Sequence, residues 1–253
     1  MSNPTANHQG PAALPVRLLM LRHGTTSWNI DHRIQGHTDV RLTAEARTWL
    51  AGLTLPARFD DFVWVASSLA RAVETAALVR GPARGDGQAE ALRATAGSPE
   101  NGWSPVVDSR LREMNWGAWE GRRMTEVRDE MGEAQFAELT ALGRDFRPPG
   151  GESPREVQHR LLEWLAGIEG GTGVVAVTHK GIIKAMLGLA FDWNLVGKSP
   201  VKLSWDAGHL FEFDPSQRRV QLLEANVQLL ITGASHPTEA GARVRRCHDG
   251  SRT

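Results

Sequence analysis

The chain has 253 residues, 41% hydrophobic and 23% charged, with 29 basic residues balancing 29 acidic ones. That length can bury one substantial core, and the neutral balance offers no broad basic field to nucleic acid or an anionic membrane surface. A single cysteine, Cys247, excludes an intramolecular disulfide, and the histidines show no HExxH or comparable metal-ligand spacing.

No apolar stretch approaches the roughly 20 residues that span a bilayer. Residues 1–15 are polar, lack Lys and Arg and contain no apolar h-region, so they are expected to form a loose lead and not a signal peptide. The expectation is a soluble cytoplasmic protein: one domain over 16–232, with a small cap at about 114–149, and a disordered basic tail over 233–253.

The first predicted strand is Val16 to Leu21, which ends abruptly in Arg22-His23-Gly24. Thr25 to Val40 reads as a long polar loop. Thr43 then caps a helix through Ala46, Trp49, Leu50 and Leu53 that must stop before Pro56. Phe62 to Ala66 is a continuous apolar run suited to a buried parallel strand. It ends in Ser67-Ser68, followed by a helix carrying Arg71 and Glu74 in its first turns.

Gly81 to Pro105 reads as a surface excursion, with a helical turn near Ala89 to Arg93, and Val106-Val107 as a minimal strand. Thr125 to Leu142 has the period of one or two amphipathic helices. Ser153-Pro154-Arg155-Glu156 forms a capping box with proline at the first helical position, and that helix stops at Gly170-Gly171. Val174 to Val177 is a third parallel-type strand, followed by Thr178-His179-Lys180-Gly181 and an apolar helix from Ile182. Leu210 to Phe213 and Val220 to Leu223 suggest a closing hairpin.

Alternating strands and helices imply a mostly parallel sheet with helices on both faces, whose ligands bind beyond the strand carboxyl ends. Three such ends carry Arg22-His23, Ser67-Ser68 into Arg71, and His179-Lys180. Taken singly, Arg71 would serve an ordinary salt bridge with Glu74 or Glu45, and His179 a structural role. Taken together they favour an oxyanion site, because an arginine fork pairs two phosphate oxygens at once.

The order of motifs carries more. Leu21-Arg22-His23-Gly24-Thr25-Thr26, Arg33-Ile-Gln35-Gly36-His37, Ser67 to Ala76, Leu111-Arg112-Glu113, Gly117-Ala-Trp119-Glu120-Gly121, Pro149 to Ser153 and Thr178-His179-Lys180-Gly181 resemble the histidine phosphatase superfamily, phosphoglycerate mutase-like branch. The resemblance runs from about Val16 to Leu230. It implies an α/β fold, a three-layer α/β/α sandwich with a mostly parallel sheet, and a small phosphate ester as substrate. It implies no metal and no cofactor, and a homodimer is compatible with it.

By the same resemblance His23 is a nucleophile that becomes a phosphohistidine, with Arg22, Arg71 and His179 offsetting phosphate charge and Glu113 as proton donor. Asn29 would add a hydrogen bond, and Thr26, Gln35, Gly36, Lys180 and Gly181 would line the pocket. Glu152 is a rival acid better placed as a helix terminus, and Glu120 reads as cap packing. Lys180 departs from a common glycine and adds a cation. The stretch after Leu111 resembles phosphatases, and the chain has no tyrosine for the mutase pattern. Phosphomonoester hydrolysis is therefore expected, ahead of phosphoglycerate mutase activity and a non-catalytic phosphate-binding scaffold.

Overall fold

The computed structural model describes residues 14–81 and 103–232. Within them a six-stranded sheet has the order β4-β3-β5-β1-β6-β7. Four of its strands are parallel: β1 (Val16–Arg22), β3 (Val63–Ser67), β4 (Val106–Asp108) and β5 (Gly173–Thr178). The hairpin of β6 (Gly208–Asp214) and β7 (Arg219–Val227) closes one side antiparallel, β6 lying against β1.

The apolar strands do not alternate with polar residues because both faces of the sheet are covered. On one face Leu18, Met20, Val174, Ala176, Phe211 and Phe213 join α6 (Pro154–Ala166) and α7 (Lys180–Phe191), through residues such as Leu161, Leu165 and Ile183. On the other, Leu19, Leu21, Ala66, Val175 and Val177 pack with α2 (Ala44–Ala51) and α3 (Ala70–Arg80), through Leu50, Ala72, Ala76 and Val79. The sandwich thus arises from one strand set facing two ways.

The helix signals hold locally. Thr43 Oγ1 accepts from the Ala46 amide at 3.1 Å, and the Ser153/Glu156 box closes in both directions. Each satisfies amide groups that a helix start leaves without intrahelical partners. The amphipathic stretch over 125–142 divides into α4 (Met124–Met131) and α5 (Glu133–Ala141) at Gly132, where φ is +83°. Beside them Trp116, Trp119 and Phe146 cluster, with ring centroids 5.7 to 6.4 Å apart. Gly117 makes that turn possible: its φ is +52°, and a Cβ there would lie 2.2 Å from the Pro149 carbonyl oxygen.

Four features differ from expectation, the first being that α6 ends at Ala166, with Gly167 as its C-cap, short of Gly170-Gly171. A four-residue helix, α1 (Ser27–Ile30), interrupts the supposed loop, nucleated by a Thr26/Asn29 capping box. The α2 helix ends at Ala51, and Leu53–Thr54 (β2) pairs antiparallel with Leu230–Ile231 (β8), two segments too short to show periodicity. Trp103, at the end of the presumed surface excursion, is buried and meets Trp64 edge-on at 5.9 Å, with the Arg80 guanidinium 4.7 Å over its ring. Residues 82–102 of that excursion, which include the turn at 89–93, most of the lead and the basic tail lie outside the described residues.

Leu161, fully buried on α6, and Leu142, 53% exposed, provide a packing test. Leu161→Ala should cost ~2–5 kcal/mol of unfolding free energy in urea titrations. Leu142→Ala should stay within ~0.5 kcal/mol.

Candidate active site

The site follows from strand register. Strands β1 and β5 are parallel neighbours with Arg22 opposite Thr178, so the next residue of each, His23 and His179, meet beyond the sheet edge. The His23 amide donates to the Thr178 carbonyl at 2.9 Å, and the two imidazoles stand 5.0 Å apart, tilted by 56°. On the other side of β5, strand β3 delivers Ser67, whose Oγ lies 2.8 Å from His179 Nε2.

The two rings are held in defined states. His23 Nδ1 donates to the Gly24 carbonyl at 2.7 Å, which leaves the Nε2 lone pair exposed on the neutral ring. Burial, then the charges of Arg22 and Arg71, hold His23 well below the ordinary imidazole pKa, against the opposing pull of the Gly24 bond. Burial, first, then the repulsion that a second imidazolium would meet from His23 and the charges of Arg71, Arg160 and Arg22, depress His179 likewise. Ser67 Oγ accepts from the Leu69 amide, so its proton can point at His179 Nε2 and put the ring proton on Nδ1. That Nδ1 is buried with no hydrogen-bond partner among the described residues.

Arg71, in the first turn of α3, is completely buried. Its Nη1 donates to the Thr38 carbonyl at 2.9 Å and its Nη2 to the Gly36 carbonyl at 2.8 Å, while Nε has no partner among the described residues. The helical salt bridge that the bland reading gives Arg71 does not form; Glu74 pairs with Arg47 instead. Thr75, one turn on, accepts from the Gly24 amide at 3.0 Å and donates to the Arg71 carbonyl at 2.7 Å, tying the glycine turn to α3.

Thr26, Asn29 and Gln35 form one cluster. Asn29 Oδ1 accepts from the Thr26 amide, and Thr26 Oγ1 lies 3.0 Å from both Asn29 Oδ1 and Gln35 Oε1. The oxygens of both amides thus turn inward, leaving their nitrogens as donors; Gln35 Nε2 is buried without an acceptor among the described residues.

Glu113 is 8% exposed. Its Oε2 accepts from the Gly181 amide at 3.0 Å, at the N-terminus of α7, and its Oε1 from the Met114 amide at 2.9 Å. Burial nevertheless raises its pKa above the ordinary carboxyl value, outweighing these bonds and the charges of Arg71 and Arg160. Gly181 permits the contact, since a Cβ there would sit 2.2 Å from Glu113 Oε1. Arg160 on α6 grips the same segment through the carbonyls of Arg110, Arg112 and Glu113. Glu152, the rival acid, instead holds Arg160, at 2.7 Å from its Nε.

Lys180 Nζ stands 5.1 Å over the Trp205 ring and the Arg22 guanidinium 5.9 Å over the same ring. One indole therefore gathers a second cation beside the first. Sequence reasoning missed Trp205, Ser67 as a partner of His179, Thr75, and Arg160. Hydroxyls and an arginine acting through backbone carbonyls leave no spacing signature. Among the described residues no group of three or more His, Cys, Asp or Glu could hold a metal ion, and no helix is long and apolar enough to cross a membrane.

Comparison with known proteins agrees with this geometry. The histidine phosphatase superfamily (branch 1) matches residues 18–228. The chain is 32% identical over 200 residues to a glucosyl-3-phosphoglycerate phosphatase of Mycolicibacterium vanbaalenii, covering 72% of this chain and 79% of the relative. It is 31% identical over 169 residues to a probable phosphoglycerate mutase of Klebsiella pneumoniae, covering 65% and 69%. Among solved structures, Bacillus stearothermophilus YhfR superposes with a TM-score of 0.64 at 28% identity, over 84% of this chain and 97% of that one. Paired histidines at adjacent strand ends, the buried arginine and this similarity lead to one assignment: the chain belongs to the histidine phosphatase superfamily and is an enzyme of that family.

Proposed function

We propose that the enzyme hydrolyses small phosphomonoesters, with His23 as nucleophile and Glu113 as proton donor. The observation that carries this reading is the 2.7 Å bond from His23 Nδ1 to Gly24, which leaves the Nε2 lone pair free on a neutral ring that feels the charges of Arg22 and Arg71. Nε2 attacks phosphorus, the N–P bond forms, and the P–O bond to the leaving group breaks. Arg22, Arg71 and the Nδ1 proton of His179 hold the equatorial oxygens as charge spreads over them. Asn29 and Gln35 supply further donors, and Lys180 adds positive charge.

An alkoxide is a poor leaving group, so Glu113 gives it a proton. Glu113 then takes a proton from water, whose oxygen attacks the phosphohistidine; the N–P bond breaks and inorganic phosphate leaves. Ester selection falls to the cap over 114–149, which follows directly on Glu113 and carries the Trp116/Trp119/Phe146 cluster. The mutase reading stays second, since relatives of both kinds exist. Comparing inorganic phosphate release with conversion of 3- to 2-phosphoglycerate separates them. Hydrolysis predicts stoichiometric phosphate release; isomerisation without release contradicts it.

The pKa shifts set the pH profile. His23 must be neutral, which its lowered pKa allows well into acid, and Glu113 must be protonated, which its raised pKa allows above the usual carboxyl range. The value of kcat/KM for an alkyl phosphate should therefore peak on the acid side of neutrality and fall as Glu113 ionises. Glu113→Gln should remove the alkaline limb and lower kcat/KM for alkyl phosphates by ~10²–10⁴-fold. p-Nitrophenyl phosphate, whose leaving group needs no proton, should lose far less. Equal losses on both substrates would remove Glu113 from the proton-donor role.

A further inference from the structure

Glu120 has no part in the chemistry above, yet it is the most heavily hydrogen-bonded carboxylate near the site. Its Oε1 accepts from the His37 amide at 2.8 Å and the Trp116 amide at 3.2 Å. Its Oε2 accepts from the Thr38 amide at 2.8 Å and the Thr38 hydroxyl at 2.5 Å. A Cβ on Gly36 would lie 1.9 Å from Oε1, so the carboxylate sits directly against the loop backbone. Burial opposes its ionisation, but these four donors more than offset that and hold its pKa below the ordinary value.

The loop that Glu120 pins is the one that holds Arg71. The Gly36 and Thr38 carbonyls, which flank the residue whose amide Glu120 binds first, are the acceptors for Nη2 and Nη1 of Arg71. His37, between them, brings its Nε2 to 2.9 Å from the Glu113 carbonyl. The loop is further laced to the Glu120 segment by the Gly121 amide on the Ile34 carbonyl and by Arg33 Nη1 on the Gly121 carbonyl. The His37 N–H that Glu120 receives shares one rigid peptide plane with the Gly36 carbonyl and so orients it, while the bonds to the Thr38 amide and hydroxyl anchor the residue whose own carbonyl takes Nη1.

We propose that Glu120 is a positioning residue: by fixing the 36–38 loop it sets the angle of the Arg71 guanidinium and the seat of the Glu113 backbone. A guanidinium fork must match phosphate oxygens in a plane, so a small rotation costs its bidentate grip. Burial lowers the Arg71 pKa, and Glu120, with Asp39, opposes that shift electrostatically. The proposal rests on the phosphatase reading for its consequence in turnover, but not for its consequence in phosphate binding.

The test is a double-mutant cycle on the full chain. Inorganic phosphate affinity by calorimetry and kcat/KM for p-nitrophenyl phosphate are measured for wild type, Glu120→Ala, Arg71→Lys and the double variant. Glu120→Gln, which keeps one oxygen acceptor, is run in the same backgrounds. Glu120→Ala should weaken phosphate binding about 10-fold in the wild-type background but less than about 2-fold when Arg71 is already Lys. Glu120→Gln turns an NH2 toward N–H donors on one side of the carboxyl and should lose an intermediate share, again only beside a native Arg71, so its cycle decides the matter if the alanine variant does not fold. Equal losses in both backgrounds, or no loss in either, would overturn the proposal. Coupling in phosphate affinity with no ester hydrolysis by the wild type would instead sink the phosphatase reading alone.

Discussion

The parallel pairing of β1 with β5 is the constraint on which the site depends. Side-chain direction in a sheet alternates residue by residue, so a one-residue slip would turn every apolar residue of β1 toward the wrong helix layer. The two-sided core thus locks Arg22 opposite Thr178, and with that pairing His23 beside His179. The energy that fixes the histidines is mostly hydrophobic and lies a full strand length below them. No bond at the sheet edge has to carry that geometry alone.

Burial does a second job at the same edge. It strips water from two imidazoles, an arginine and a carboxylate, and each responds according to its charge. The histidines are driven neutral, Glu113 is driven toward its protonated form, and Arg71, its pKa lowered by the same burial, spends two of its N–H groups on carbonyls. One desolvated sheet edge can therefore hold imidazoles, a carboxyl and a guanidinium in distinct protonation states, as the proposed mechanism requires. The same dryness strengthens attraction between the cations and a phosphoryl group.

The fold, and the convergence of Arg22, His23, Arg71 and His179 on one sheet edge, were legible because their signals are local. Apolar runs ending in Arg22-His23, Ser67 and Thr178-His179 mark strand ends, and Thr43 and Ser153 mark helix starts through hydrogen bonds within three residues. What stayed hidden works over long sequence separation. Ser67 meets His179 across 112 positions, Arg160 holds a segment 47 to 50 residues away, and Glu120 pins a loop 82 to 83 residues away. Glu120 looked like cap packing because its partners are mostly backbone amides, which no side-chain pattern announces. Trp103 looked peripheral because its sequence neighbours are small and polar, although its indole lies against Trp64.

The central claim is covalent chemistry at His23 Nε2, and trapping the phosphoenzyme tests it most directly. Rapid mixing with a phosphate-labelled ester, quenching in alkali and peptide mapping should place an acid-labile label on His23 at close to one per chain before steady-state turnover. The label should vanish in His23→Ala together with hydrolysis. A label mapped to any other residue, or turnover that survives His23→Ala, would contradict the account.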